Sequence, residues 1–209
     1  MLSATIPLFP LPNVVLFPNV SLPLHIFEPR YREMVTDALA GDRTIGMVLL
    51  RPGWETEYHR RPAVYPVGCA GLITHAERLE DGRFNIVLRG MEKFRILEER
   101  EEGRSYRIAR VQRFVEPVES ADREAMRLAR RRLEALLVPQ PEGRAADPKV
   151  PPSVPDEDLV NSLAQYLELE PVEKQALLER ESLLARCHSL IELLEMKVLA
   201  AQHTWRGNN

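Results

Sequence analysis

The alternation of apolar and polar residues divides the chain into a strand-forming front and a helical back. Residues 6–31 crowd six prolines among apolar side chains. Within them Val20, Leu22, Leu24 and Ile26 alternate with Ser21, Pro23, His25 and Phe27, the period of a half-buried strand. Proline has no amide to donate, so Pro7, Pro10, Pro12, Pro18 and Pro23 are expected at turns, strand starts, edges or bulges, and Asn13 and Asn19 at turns. Glu28-Pro29 opens a helix running to about Ala40, because proline is preorganised for a first helical turn. Residues 44–50 read as a strand with Ile45, Met47 and Leu49 on one face. Residues 51–62 are polar, bounded by prolines, and read as an exposed loop carrying Trp54 and Tyr58. A long β-prone run follows over 64–79, with Gly68 and Gly71 marking a bulge or strong curvature. Asp81-Gly82 signals a hairpin, and Phe84, Ile86 and Leu88 alternate along the return strand. Arg89-Gly90 is expected to interrupt that strand before Phe94, Ile96 and Leu97. A last strand spans 106–115.

From Ser120, a plausible N-cap, the period lengthens. Ala125, Leu128, Ala129, Leu133, Leu136 and Leu137 recur at helical spacing. Residues 139–155 hold six of the chain's 17 prolines and read as a linker or long surface loop. Asp156 caps a second helix carrying Leu159, Val160, Leu163 and Leu167, and Pro171 starts a third, with Glu170 and Glu173 suited to its positive end. A final helix over about 182–202 carries Leu184, Cys187, Ile191, Leu194, Val198 and Ala201 as a continuous apolar seam. The organisation is a β-rich part over 1–118 and a helical part over 119–209.

Several blocks of this sequence, in order, resemble one known family. Pro7-Leu8, Asn13, Val14-Val15-Leu16-Phe17-Pro18 and Pro23-Leu24 are similar to the start of the Lon protease N-terminal, substrate-recognition domain. Glu28-Pro29-Arg30-Tyr31-Arg32 looks more like the stand-alone versions of that domain. Tyr65-Pro66-Val67-Gly68, Leu79-Glu80-Asp81-Gly82, the segment 87–94 and the segment 167–179 each resemble a further block of the family. The resemblance implies an α+β fold: a twisted, barrel-like six-stranded sheet with one helix, followed by a helical bundle. In the full-length protease an ATPase and a serine–lysine peptidase follow this domain. Here no G-x-x-x-x-G-K-[ST] phosphate loop is found, none of the four lysines at 93, 149, 174 and 197 sits in such a setting, and no serine lies in a glycine-flanked nucleophile context. The expectation is a stand-alone recognition domain that is not an enzyme.

Composition sharpens this only by exclusion. A net charge of -3 argues against a general nucleic-acid binder, which is normally basic. No apolar run of about 18 residues predicts a membrane span, and the N-terminus lacks a secretory pattern. Cys69 and Cys187 are too far apart for a disulfide framework or zinc spacing, and free thiols fit a cytoplasmic setting. The five histidines, at 25, 59, 75, 188 and 203, show no metal-binding spacing, so neither a metal nor a cofactor is expected. Adjacent helical residues point about 100° apart, so Cys187-His188 is not a thiol–imidazole pair. Glu77, Glu80 and Asp81 read as solvated turn carboxylates, and Arg127, Arg130, Arg131 and Arg132 as a solvated helix face.

What remains is binding. The expected partners are unfolded polypeptides or exposed hydrophobic segments, or a partner protein, held by apolar burial and backbone pairing. Trp54 and Tyr58 are the candidate contact residues, since aromatics contribute large contact area at low entropic cost. A small-ligand sensor with a compact apolar pocket is the alternative. A cryptic hydrolase, needing Cys69 or a histidine within hydrogen-bond reach of a carboxylate, ranks last.

Overall fold

Two prolines lie inside a strand that has neighbours on both sides, and the way this is tolerated fixes the front of the molecule. In the computed structural model, which describes residues 4–57, 60–116, 122–137 and 154–207, strand β1 covers Thr5–Leu11 and contains Pro7 and Pro10. Its first half, Thr5 to Leu8, pairs antiparallel with strand β6, Arg107–Arg113. Its second half, Leu8 to Leu11, pairs in parallel with strand β3, Thr44–Leu49. Each proline therefore sits where only one neighbour pairs, and its missing amide costs no ladder bond.

Strand β4, Val67–Arg78, and strand β5, Phe84–Arg100, form a long hairpin across Asp81-Gly82. Gly82 has φ of 80°, and Asp81 accepts the Arg83 amide at 3.0 Å, as the tight turn requires. β4 pairs with β3, and the far half of β5 pairs with β6. The circuit β5-β4-β3-β1-β6 thus closes on β5 as a barrel, and strand β2, Ser21–Ile26, is added to the near half of β5. The sequence assigned one buried face to β3; all six of its residues are buried, as befits a strand inside a closed barrel that is also covered outside.

The barrel interior gathers Ile6, Leu8, Val48, Ala70, Phe94, Ala109 and Val111. Phe94 sets its tightest constraint. A Cβ on Gly46 would stand 2.9 Å from the Phe94 ring, and one on Gly68 would stand 2.7 Å from that ring and 2.4 Å from the Met47 carbonyl oxygen. Gly68 therefore makes room for an aromatic side chain, while the irregular register falls at Ala70/Gly71 and again at Ile73/His75. Arg89-Gly90 does not interrupt β5, which runs unbroken for 17 residues. Gly90 is there because a Cβ would come within 2.0 Å of the Phe17 carbonyl oxygen, where the preceding loop crosses the strand.

Helix α1, Pro29–Ala40, begins with proline at its first turn as expected and buries Tyr31, Met34, Val35 and Ala38. The Phe9 and Tyr31 rings meet at 4.5 Å. Helix α3, Asp156–Tyr166, and helix α4, Pro171–Leu178, follow later in the chain, and α4 opens with a capping box between Glu170 and Glu173.

The chain forms two compact units, Met1–Val115 with Asn161–Glu179, and Glu116–Val160 with Arg180–Asn209. The sequence placed everything after 119 in one helical part; compactness instead groups Asn161–Glu179 with the sheet. The reason is polar. The Phe17 amide donates to Gln165 Oε1 at 3.2 Å, Asn161 donates to the Pro18 carbonyl at 3.1 Å, and Gln175 donates to the Val67 carbonyl at 3.0 Å. Lys93, almost fully buried, donates to the Leu178 carbonyl at 3.0 Å at the negative end of α4 and lies 4.0 Å over the Phe114 ring.

The second unit contains helix α2, Asp122–Leu137, the start of α3, and helix α5, Leu183–Gly207. Met126, Ala129 and Leu133 form the buried face of α2, whereas Leu128 is 56% exposed. Leu128 is two residues from Met126, about 200° around the helix, so helical spacing alone assigned it to the wrong face. On α5, Cys187, Leu190 and Ile191 are buried, but the seam does not continue: Val198 is 44% exposed. Arg186 is fully buried and ion-paired with Glu116. The Ser120 cap, residues 139–153 of the proline-rich stretch and Tyr58 lie outside the described residues.

Strand β2 pairs only with β5, whereas every other described strand has at least two neighbours. Gly90 donates to the Val20 carbonyl at 2.8 Å, which turns the even-numbered main-chain groups of β2 toward β5 and the odd-numbered ones outward. Tyr166, whose hydroxyl donates to the Ser21 carbonyl at 2.8 Å, agrees with that parity. The edge position between Ser21 and His25 is Pro23, which has no donor to offer.

Two outcomes follow. Asn161→Leu leaves the buried Pro18 carbonyl without its donor and lowers the unfolding free energy by about 1–3 kcal/mol, read by chemical denaturation. An unchanged denaturation midpoint would show that this bond does not hold the segment to the sheet. Pro23→Val restores an outward amide on the open edge and induces concentration-dependent association, read by light scattering; a variant that stays monodisperse would show that proline is not what protects this edge.

Candidate functional site

Along the outer edge of β2 the exposed surface is aromatic at both ends. Tyr166, 65% exposed, stands at the Ser21 end through its hydroxyl bond, and Phe27, 61% exposed, follows directly after Ile26. Six extended residues separate them by roughly 20 Å. Between them the odd-numbered side chains Ser21, Pro23 and His25 are exposed. His25 stacks on Phe27 with ring centroids 6.3 Å apart and shares a hydrogen bond of 2.8 Å with Asn85 on β5. Asn85 in turn donates to Glu77 at 3.0 Å. A shallow recess of about 370 Å³ lies over this region, lined by Pro23, Leu24, His25, His75, Asn85 and Val87 among others. The edge therefore offers two aromatic anchors, an apolar floor and outward main-chain groups on either side of a proline that has no donor. That combination suits an extended polypeptide that contributes its own N–H groups.

Of the two residues chosen from sequence, the structure describes Trp54. Trp54 begins a 3-10 turn, Trp54–Glu57, and is half-buried. Tyr58 lies outside the described residues. Phe27 and Tyr166 are more exposed than Trp54, and alternation did not mark them out. Phe27 continued the outward face of a strand like any polar residue, and Tyr166 ended a helix with nothing nearby in sequence to contact. The signal for either would have been a large aromatic residue on a polar face.

The groups considered for chemistry are dispersed. Cys69 is buried, with its thiol against the Ala70 carbonyl oxygen at 3.5 Å. Cys187 is buried while His188 is exposed, and burial pushes the Cys187 thiol up to about 11, which makes it a poor nucleophile. The Arg83 side chain and amide bonds hold the Asp81 carboxyl below its ordinary range, as in a solvated turn pair. Among the described residues, no group of three His, Cys, Asp or Glu side chains is placed to hold a metal ion. The arginine run of α2 is largely engaged within its own unit: Arg130 pairs with Glu134 and Asp156, both at 2.7 Å, and Arg132 with Glu195 at 2.6 Å. No described helix is long and apolar enough to cross a membrane.

A second feature of the sheet unit is a cavity of about 140 Å³ where the end of β1, the start of α1, the 60–62 loop and the approach to β6 converge. Five arginines, Arg30, Arg60, Arg61, Arg104 and Arg107, line it, and no carboxylate does. Tyr106 sits in the same wall and donates to Asp37 at 2.8 Å; burial, with the Asp37 carboxylate beside it, pushes its phenol up to about 12, so it stays a donor.

The fold and this chain's sequence both point to one family. An N-terminal domain of Mycobacterium avium complex Lon protease matches 91% of this chain and 98% of its own with a TM-score of 0.67 at 15% identity. A Lon N-terminal domain protein from Xanthomonas campestris matches 90% of this chain and 97% of its own with a TM-score of 0.58 at 21% identity. Among curated relatives, a Lon protease of Trichlorobacter lovleyi is 31% identical over 94% of this chain, and Lon protease 2 of Myxococcus xanthus is 29% identical over 92%. The chain spans about a quarter of the length of these two relatives. The family model for the ATP-dependent protease La (LON) substrate-binding domain matches residues 5–196, and the chain belongs to that family.

Proposed function

We propose that the chain is a non-catalytic recognition module that binds unfolded or exposed hydrophobic polypeptide segments, acting in the cytoplasm in connection with proteolysis or protein quality control. The observation that carries this reading is the open edge of β2, framed by Phe27 and Tyr166, in a chain of the substrate-binding family. A bound segment lies along the edge, donates to the outward carbonyls, and rests its apolar side chains on the two aromatic rings. Pro23 limits pairing to a partner that needs acceptors, which favours transient binding over permanent strand addition. The loop with Trp54 and Tyr58 serves as a second contact surface. Binding of this kind needs no nucleophile, and the buried thiols support a role without a chemical step.

The test is a titration of the purified chain with a fluorescently labelled unfolded polypeptide and with the same polypeptide folded. Binding to the unfolded form alone is expected. The double variant Phe27→Ala/Tyr166→Ala weakens it by at least about tenfold, because exposed aromatic anchors contribute most at such surfaces. Trp54→Ala has a smaller effect. Equal affinity for folded and unfolded forms, or no binding to either, would overturn the reading.

A further inference from the structure

We infer that the arginine-lined cavity of the sheet unit is a binding site for a phosphoryl oxyanion, separate from the polypeptide-binding edge and independent of it. Five arginines line one cavity of about 140 Å³, with no carboxylate in its lining. An anion seated between them would add a charge-assisted partner to each. The carboxylates that hold the arginines stand outside the lining. Arg30 pairs with Glu28 at 2.8 Å, Arg104 with Asp37 at 3.1 Å and Arg61 with Glu101 at 3.2 Å, and Arg107 is bound by Glu99 and donates to the Pro62 carbonyl at 2.8 Å. Each guanidinium carries five N–H donors, so these bonds orient the groups and leave donors for a ligand. Arg60 has no hydrogen bond or ion pair to another described residue.

A second observation comes from α1, whose N-terminus opens at the cavity. Its first turn contains no acidic residue and instead carries Arg30 and Arg32, the charge that the positive end of a helix disfavours. Glu28 at the cap makes no side-chain cap bond and is turned to Arg30. The helix end and the guanidiniums thus add to one positive potential at the same place. Among anions, the arrangement selects by shape. A planar carboxylate offers two oxygens in one plane, which one or two arginine forks satisfy. Arginines from three segments of the fold fit a tetrahedral group with three oxygens and up to two charges. The ligand is therefore a phosphoryl group, either free phosphate or a phosphate ester on a polypeptide.

The experiment is calorimetric titration of the intact chain, at low ionic strength with chloride held constant, using inorganic phosphate in one arm. The other arm uses an end-blocked serine peptide with and without phosphoserine. Saturable binding of one phosphoryl group per chain is expected. Arg60→Ala/Arg61→Ala weakens it about tenfold, since each charge-assisted contact is a strong one. Both side chains are exposed, so the variant is expected to retain its fold, and Arg127→Ala on α2, an exposed arginine outside the cavity, serves as a control that leaves binding unchanged. Phosphopeptide binding tighter than free phosphate by about tenfold identifies a modified polypeptide as the source, and equal affinities identify the free ion. The inference is overturned if neither arm saturates, if the peptide without phosphate binds as well as the one with it, or if Arg127→Ala weakens binding as much as the cavity variant does. Loss of polypeptide binding in Phe27→Ala/Tyr166→Ala with phosphate binding intact would separate the two sites.

Discussion

The loop ahead of β2 is buried without belonging to a strand, and its main-chain groups must be met by something other than a ladder. Val15 to Pro18 are all buried. A buried amide or carbonyl left unpaired costs about 1–3 kcal/mol, so the partners of this loop are a structural requirement. They come from more than 140 residues away, as Gln165 on the Phe17 amide and Asn161 on the Pro18 carbonyl. Gln175 does the same for Val67 at the start of β4, and Lys93 returns the interaction from the barrel to the end of α4. The helical segment is thus fastened to the sheet by polar side chains placed on backbone groups. This accounts for its belonging to the sheet unit even though α3 begins in the other one.

The closed circuit of strands has a consequence for recognition. Five strands satisfy one another around the barrel, which leaves β2 as an appendage with a free edge. A free edge is normally an invitation to aggregation, and here a proline withholds one of its outward donors and a tyrosine hydroxyl occupies one of its acceptors. The same edge keeps two exposed aromatic rings at its ends. Selective stickiness of this kind is what a recognition surface needs: enough apolar area to hold an extended chain, and too little pairing capacity to fuse with a second sheet. The arginine-lined cavity is a different type of surface, with ion pairs behind its arginines.

Much of the architecture was legible from periodicity and punctuation. The half-buried alternation of β2, the proline start of α1, the Asp81-Gly82 hairpin and the Glu170–Glu173 cap of α4 all depend on residues close in sequence, and each appears where the pattern put it. The misjudged positions share a cause. Gly90 looked like a break because glycine ends strands locally; its role is to let a distant loop pass close by. Leu128 looked buried because it is apolar at a plausible spacing, but which side of α2 is covered depends on what packs there. The edge aromatics were not legible for the same reason: Phe27 and Tyr166 gain meaning only when helix α3 brings one of them to the edge that the other extends.

The sequence by itself determined the secondary structure, the α+β class and the family, because these rest on local backbone preference, side-chain period and a series of motifs in fixed order. Only the tertiary structure decided that the sheet closes on β5, that Asn161–Glu179 joins it, and that five arginines from three separate segments share one cavity. Those outcomes depend on which distant groups can meet each other's hydrogen-bonding and charge requirements. No local pattern encodes such a match, since each partner is unremarkable until the fold supplies the other.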